Sequence, residues 1–138
     1  MSNRPVAEVF PLLWSDDPAG LARWAMETLG LEESWRAPPT GEVEHIELHW
    51  PGGGKVSINI RREIDRRVGP AGFALRIDDR AAVERLHARA VAAGAEIVQG
   101  PEDSFIAFSF TARDPEGNDW WVNAENGVLD GLRAAKDE

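Results

Sequence analysis

The sequence predicts an α+β protein made of two copies of a strand–helix–strand–strand–strand unit. Three observations carry this reading. Two helical stretches have clear start and stop signals. Each is preceded by one short apolar strand and followed by three more. The halves also align with each other, Asp16-Asp17 over Asp78-Asp79 at an offset of 62, and Pro51 and Gly53 over Pro115 and Gly117 at an offset of 64. Self-similarity of this kind marks an internal duplication.

The elements follow in order. "VFPLLW" is the first strand, and "SDDPAGLARWAMETLG" the first helix, with Asp16 or Asp17 as N-cap, Pro18 near the first turn and Gly30 as the stop. Leu21, Trp24, Ala25 and Leu29 recur at helical spacing and form its inner face. "LEESWRAP", "VEHIELHW" and "KVSINI" complete the first unit, about residues 6–61. The glycines of "PGGGK" read as a hairpin turn, not a P-loop, because the Lys is followed by a strand pattern. In the second unit, about 70–124, "GFALRI" leads into a helix that starts after Asp78-Asp79 and ends at Gly94, with Val83, Leu86 and Ala90 inward. "AEIVQ", "FIAFSFTAR" and "DWWVNA" are its remaining strands, and "GVLDGLRAAKDE" a short terminal helix. With 138 residues, the two units are expected to make one domain.

Composition narrows the function. Asp plus Glu number 24 against 15 Lys plus Arg, a net charge of -9, which argues against nucleic-acid binding, where a basic footprint is needed. The acidic field would suit a cationic ligand, and it equally serves plain solubility. No apolar run approaches membrane-spanning length, and "MSNRPVAEVFPLLW" lacks the apolar core of a signal peptide, so a cytoplasmic protein is expected. The absence of cysteine removes disulfides, thiolate metal sites and a thiol nucleophile.

The duplicated unit, the "SDDP…TLGLEESW" opening and the "ARDPEGNDWW" turn resemble the glyoxalase, bleomycin-resistance and extradiol-dioxygenase superfamily, the vicinal oxygen chelate fold, over roughly residues 6 to 124. The resemblance implies that each unit curls its four strands into half of a cup, and that two units, from one chain or two, close around a ligand or metal. It also implies a homodimer with strands exchanged between chains and two cups at the interface.

Strand alternation separates the faces. The apolar rows are expected under the helices: Phe10, Leu12 and Trp14; Ile46, Leu48 and Trp50; Val56, Ile58 and Ile60; Phe73, Leu75 and Ile77; Ile106, Phe108 and Phe110; Trp120 and Val122. The opposite rows then line the cup, among them His45, Glu47 and His49, Ser57 and Asn59, Arg76, Ser109 and Thr111, and Trp121. Enzymes of the superfamily hold a divalent metal with His, Gln or Glu from the first and last strands of each unit. The corresponding positions look like Val9, Ser57, Gly72 and Trp121, and a two-residue slip gives Pro11, Asn59, Ala74 and Asn123. None is an imidazole or carboxylate, so neither metal nor other cofactor is expected. His45-x-Glu47-x-His49 does not replace that set: on a strand the two imidazoles stand roughly 13 Å apart. Glu47 with one histidine could supply half a site with a partner chain. His87 is assigned to a helix flank at the surface, and no Ser-His-Asp arrangement can be assigned.

Six tryptophans accompany no tyrosine. Periodicity assigns Trp14, Trp24, Trp50 and Trp120 to the core, leaving Trp35 and Trp121 for the cup, where an indole offers a flat face to a planar ring and attracts cations. The expectation is a metal-free, non-catalytic protein of the bleomycin-resistance branch that sequesters a planar, antibiotic-type ligand and so confers resistance. The ligand contacts would be Trp35, His45, Glu47, His49, Ser57, Asn59, Arg76, Ser109, Thr111 and Trp121. Two alternatives stay open: a metal-dependent lyase, isomerase or dioxygenase with a site built on Glu47 and His49, and a structural or regulatory dimer whose cup Trp121 fills.

Overall fold

A computed structural model of the chain describes residues 8–65 and 69–137. The start expected for the first unit at residue 6, and most of the N-terminal stretch read against a signal peptide, lie outside the described residues. Two four-stranded mixed sheets share one topology. The first takes β1 (Leu12–Ser15), β2 (Glu32–Ala37), β3 (His45–His49) and β4 (Lys55–Ile60) in the order β1-β4-β3-β2. The second takes β5 (Gly72–Arg76), β6 (Glu96–Asp103), β7 (Ala107–Arg113) and β8 (Asp119–Glu125) in the order β5-β8-β7-β6. In each sheet the strand before the helix lies parallel to the last strand, and the other pairs are antiparallel. The helix is the crossover that a parallel pair requires.

Helix α1 (Pro18–Leu29) begins where the Asp17 carboxylate accepts from the Gly20 N–H at 3.1 Å, and ends at Gly30, whose φ of 76° lies in the left-handed region. Helix α2 (Arg80–Ala92) is capped by Asp79, which accepts from the Ala82 N–H at 2.7 Å. The helices meet through Arg89 of α2, which donates to the Glu27 and Met26 carbonyls at 2.9 Å each. A guanidinium at the carboxyl end of α1 satisfies open carbonyls and complements the helix dipole. A short terminal helix, α3 (Val128–Asp137), follows β8.

The core lies on the helix side of both sheets and joins the two units. Leu21, Ala25 and Leu29 of α1 and Val83 and Ala90 of α2 share one cluster with Ile46, Leu48, Val56, Ile58, Phe110, Trp120 and Val122. Trp120 is fully buried, its ring centroid 4.1 Å from Phe73 and 5.7 Å from Trp24.

The turn after β7 explains how a tryptophan can be buried there. The Asp114 carboxylate, itself buried, accepts from the Glu116 N–H (2.9 Å), the Asn118 N–H (3.0 Å), the Asn118 side-chain amide (2.9 Å) and the Trp120 indole N–H (2.9 Å). Asn118 in turn accepts from the Ala71 N–H at 2.8 Å, tying the turn to the start of β5. The D-P-E-G-N element is therefore a structural clamp that supplies the polar partner a buried indole needs.

Two expectations about the core need correction. Trp14 does not face the helices. In the parallel pairing Leu13 lies opposite Ile58 and Trp14 opposite Asn59, so Leu13 enters the core at 2% exposure while Leu12, at 51%, and Trp14 take the other face. Every residue from Val9 to Trp14 is apolar, so alternation alone has no phase there, and pairing with β4 sets it. His87 is not a surface residue: it is half-buried, with its ring 5.2 Å from that of Phe110.

Candidate functional site

Helices α1 and α2 pack on the core side of the sheets, and α3 meets the opposite face of the second sheet at its end, where Arg133 reaches Glu125. On the first sheet the register aligns the side chains of this opposite, open face in cross-strand rows: Leu12, Ser57, Glu47 and Trp35 in one, Trp14, Asn59, His45 and Ala37 in the next, Lys55, His49 and Glu32 in a third. On the second sheet the corresponding rows are Ala74, Trp121, Thr111 and Gln99, then Arg76, Asn123 and Ser109. All ten residues assigned to the cup from the sequence stand in these rows.

 Six of them (Trp35, His45, Glu47, His49, Ser57 and Asn59) belong to the first sheet and four (Arg76, Ser109, Thr111 and Trp121) to the second.

Three of the six tryptophans, Trp24, Trp50 and Trp120, belong to the core or pack against it, and the other three, Trp14, Trp35 and Trp121, do not. Trp35 is 47% exposed and follows an irregularity in the β2–β3 register between Glu33 and Trp35. Such a bulge re-aims side chains, and here it leaves Ser34 free to reach the face of His49. Trp121 is half-buried between Ala74 and Thr111 in its row, back to back with Trp120.

The polar side chains between these rings are held by one another. His45 Nδ1 lies 2.9 Å from Asn59 Oδ1. The amide of Asn59 also reaches the Leu13 carbonyl at 3.4 Å, and Asn123 repeats that bond to the Leu75 carbonyl at 3.4 Å, so both asparagines brace a parallel strand pair. His49 lies 2.7 Å from Ser34 Oγ through Nδ1 and 3.3 Å from Glu32 through Nε2. Glu47 pairs with Lys55 at 3.3 Å, and Glu8 and Glu47 together hold the Lys55 ammonium above its ordinary pKa, Glu8 contributing most. On the second sheet Thr111 donates to Gln99 at 3.0 Å. Arg76 meets Glu125 at 3.3 Å, and Arg133 of α3 meets the same carboxylate at 3.1 Å. The Arg133 and Arg76 guanidiniums, in that order, hold Glu125 below the usual carboxylate range.

The sequence match places the chain. A family model described as the glyoxalase/bleomycin resistance protein/dioxygenase superfamily matches residues 8–122. The chain belongs to this superfamily. Among solved structures it is similar to TioX from Micromonospora sp. ML1, at 25% identity and a TM-score of 0.71 over 86% of this chain and 98% of that one. It also shares its fold with TnmS3, an antibiotic binding protein from Streptomyces sp. CB03234, at 19% identity and a TM-score of 0.70 over 90% and 100% of the two chains. A lactoylglutathione lyase from Agrobacterium tumefaciens shares the fold as well, at 19% identity and a TM-score of 0.66 over 88% and 96%. No protein of curated function matches.

The metal that enzymes of the superfamily carry can be tested against these residues. On the two parallel strand pairs, the side chains facing the open sides are Leu12, Ser57, Ala74 and Trp121 in one pair of rows and Trp14, Asn59, Arg76 and Asn123 in the next; Gly72 lies one row further out, opposite Asp119, whose carboxylate is taken by Arg113 at 2.8 Å. Leu12 takes the place of the Val9 expected from the sequence, since Val9 lies before β1 and it is Leu12 that pairs with Ser57, and Ala74 takes the place of Gly72 opposite Trp121. None of the eight is an imidazole or a carboxylate, and among the described residues no three His, Cys, Asp or Glu side chains are grouped to hold a metal ion. His45, Glu47 and His49 are each turned to a different partner, Asn59, Lys55 and Ser34. The residues present do not fit the group. Among the described residues no helix is long and apolar enough to cross a membrane.

Sequence reasoning missed Trp14 as a residue of the open face. The signal was available in the duplication: at the offset of 62 that aligns Asp16 with Asp78, Trp14 lies over Arg76, which had been assigned to the cup. Lys55 was visible in the mixed row of β4, and only its pairing with Glu47 shows what it does there.

Proposed function

We propose that this protein binds and sequesters a planar, antibiotic-type small molecule without transforming it, and so protects its host. The observation that carries the reading is Trp121. It stands on the open face at the position where the resemblance to metal-dependent members implies a ligand to the metal, and it offers an indole face in place of a donor atom. Stacking on an indole contributes about 0.5–1.5 kcal/mol beyond area burial. Micromolar binding needs about 8 kcal/mol, so apolar burial and the hydrogen-bonding groups His45, His49, Ser57, Asn59, Arg76, Ser109 and Thr111 supply the remainder. Trp35 and Glu47 complete the lining. The similarity to the fold of TnmS3, an antibiotic binding protein, supports this class of function.

The cup is closed in this reading by a second copy of the chain, giving a cytoplasmic homodimer with two ligand sites. Half of the tryptophans stand outside the core of the single chain, and the open faces of both sheets are what a partner would cover. The net charge of -9 favours a cationic ligand. A second reading, a structural dimer whose cup is filled by Trp121, draws on the half-burial of that ring.

Isothermal titration calorimetry of the purified protein against planar cationic antibiotics tests the proposal, with the ligand recovered afterwards by mass spectrometry. Saturable binding of one molecule per chain, with the compound recovered unchanged, is expected. A compound recovered with altered mass would replace capture by catalysis, and no binding across the panel would leave the filled-cup dimer.

A further inference from the structure

The open face of the first sheet has a layout that a single flat ring does not use. Trp14 lies on β1 and Trp35 on β2, the two edge strands of the order β1-β4-β3-β2. Three strand spacings separate them, about 14 Å, and their rows differ by one further step along the strands, so the two indoles are anchored about 15 Å apart. Neither ring belongs to the core or packs against an aromatic ring among the described residues. Between them the register sets polar side chains: the bonded pair His45 and Asn59, then Ser57 and the Glu47–Lys55 ion pair.

From this arrangement, and resting on the sequestration reading above, we infer that the ligand is two-headed: two flat aromatic groups joined by a polar, hydrogen-bonding middle. One head stacks on Trp14 and the other on Trp35, and Trp121, on the second sheet, closes on the far side of one of these heads when the two faces meet around the ligand. The middle lies over β4 and β3, where His45, Ser57 and Asn59 offer both donors and acceptors. A ligand with a single ring system of two or three fused rings cannot reach both indoles, and would leave one of them exposed to water. An apolar linker would strip water from Ser57, His45 and Glu47 without replacing its hydrogen bonds, a loss that a polar linker avoids. Once one head is bound, the second binds at an effective concentration set by the linker, and the affinity rises sharply only if the linker spans the two platforms.

The test uses 9-aminoacridine carrying a diamide linker as the one-headed probe, and two 9-aminoacridines joined by that linker, about 15 Å between ring centres, as the two-headed one. Both are titrated into the full-length protein by calorimetry. The two-headed probe is expected to bind at least about tenfold more tightly. Trp14→Ala and Trp35→Ala are each expected to collapse the ratio of the two affinities to about two, the statistical factor for two equivalent heads, while Trp14→Phe retains most of it and shows that the fold is intact. Equal binding of the two probes would overturn the inference and leave simple sequestration standing. A ratio that survives in both alanine variants would also overturn it. If neither probe binds, the inference and the reading beneath it fall together.

Discussion

Replacing Asp114 by alanine removes one carboxylate and strands the donors that converge on it. Glu116 N–H is partly exposed and regains water. The Asn118 N–H, the Asn118 side-chain amide and the Trp120 indole N–H are buried and do not. Each buried donor left without a partner costs about 1–3 kcal/mol. A water molecule entering the space of the lost carboxylate recovers part of this, so the expected loss is about 3–5 kcal/mol. For a chain of 138 residues, with an unfolding entropy of about 2.1 cal/mol/K per residue, that corresponds to a fall in Tm of about 10–17 °C. Asp114→Asn keeps one acceptor oxygen and should lose about half as much. Differential scanning calorimetry and urea unfolding followed by near-ultraviolet circular dichroism measure both variants. A loss below about 1 kcal/mol in Asp114→Ala, with the near-ultraviolet signal of the tryptophans unchanged, would refute the claim that this carboxylate holds Trp120 and the turn in place.

Further predictions concern neighbouring features. Trp120→Ala should cost about 3–5 kcal/mol, as large-to-small changes in packed cores do, whereas Trp121→Ala, on the open face, should cost less than about 1.5 kcal/mol; urea midpoints of the two variants compare them, and equal losses would mean that Trp121 is core. Gly100 has a φ of +80°, and a Cβ there would meet the Ser109 carbonyl oxygen and the Phe110 backbone, so Gly100→Ala should destabilise by more than about 1 kcal/mol in the same assay. Glu125 has its pKa depressed in the folded state by Arg133 and Arg76. Its contribution is therefore present above the ordinary carboxylate pKa and is lost as the pH falls through the lowered folded value. Glu125→Gln should flatten that part of the stability profile between pH 7 and pH 3, and an unchanged profile would show that the pair contributes nothing.

The parts of the fold that local chemistry specifies could be read from the chain. Asp17 and Gly30 act as the cap and stop of α1, and Asp79 caps α2, because each supplies a group or a backbone geometry that a helix end needs wherever it occurs. The alternation in "HIELH" and "KVSINI" gave the faces of β3 and β4 because polar and apolar residues truly alternate there. The first strand was different. An unbroken apolar run leaves two phases equally acceptable locally, and the choice is made by pairing with β4, a contact distant in sequence. Trp35 pairs with Glu47 of β3, and the bulge before it, which brings Ser34 to His49, has no local signature in "EESWRA". The carboxylate at Asp114 could be recognised as part of a turn, while its bond to the Trp120 indole depends on the return of β8 beside β7.

The central claim is that Trp121 presents its ring to a ligand. Intrinsic tryptophan fluorescence, titrated with a planar cationic antibiotic in the native protein and in Trp121→Ala, tests it most directly. Saturable quenching at micromolar ligand, weakened at least tenfold in a variant that remains folded, is the predicted result. Quenching with the same affinity in both proteins would contradict the account.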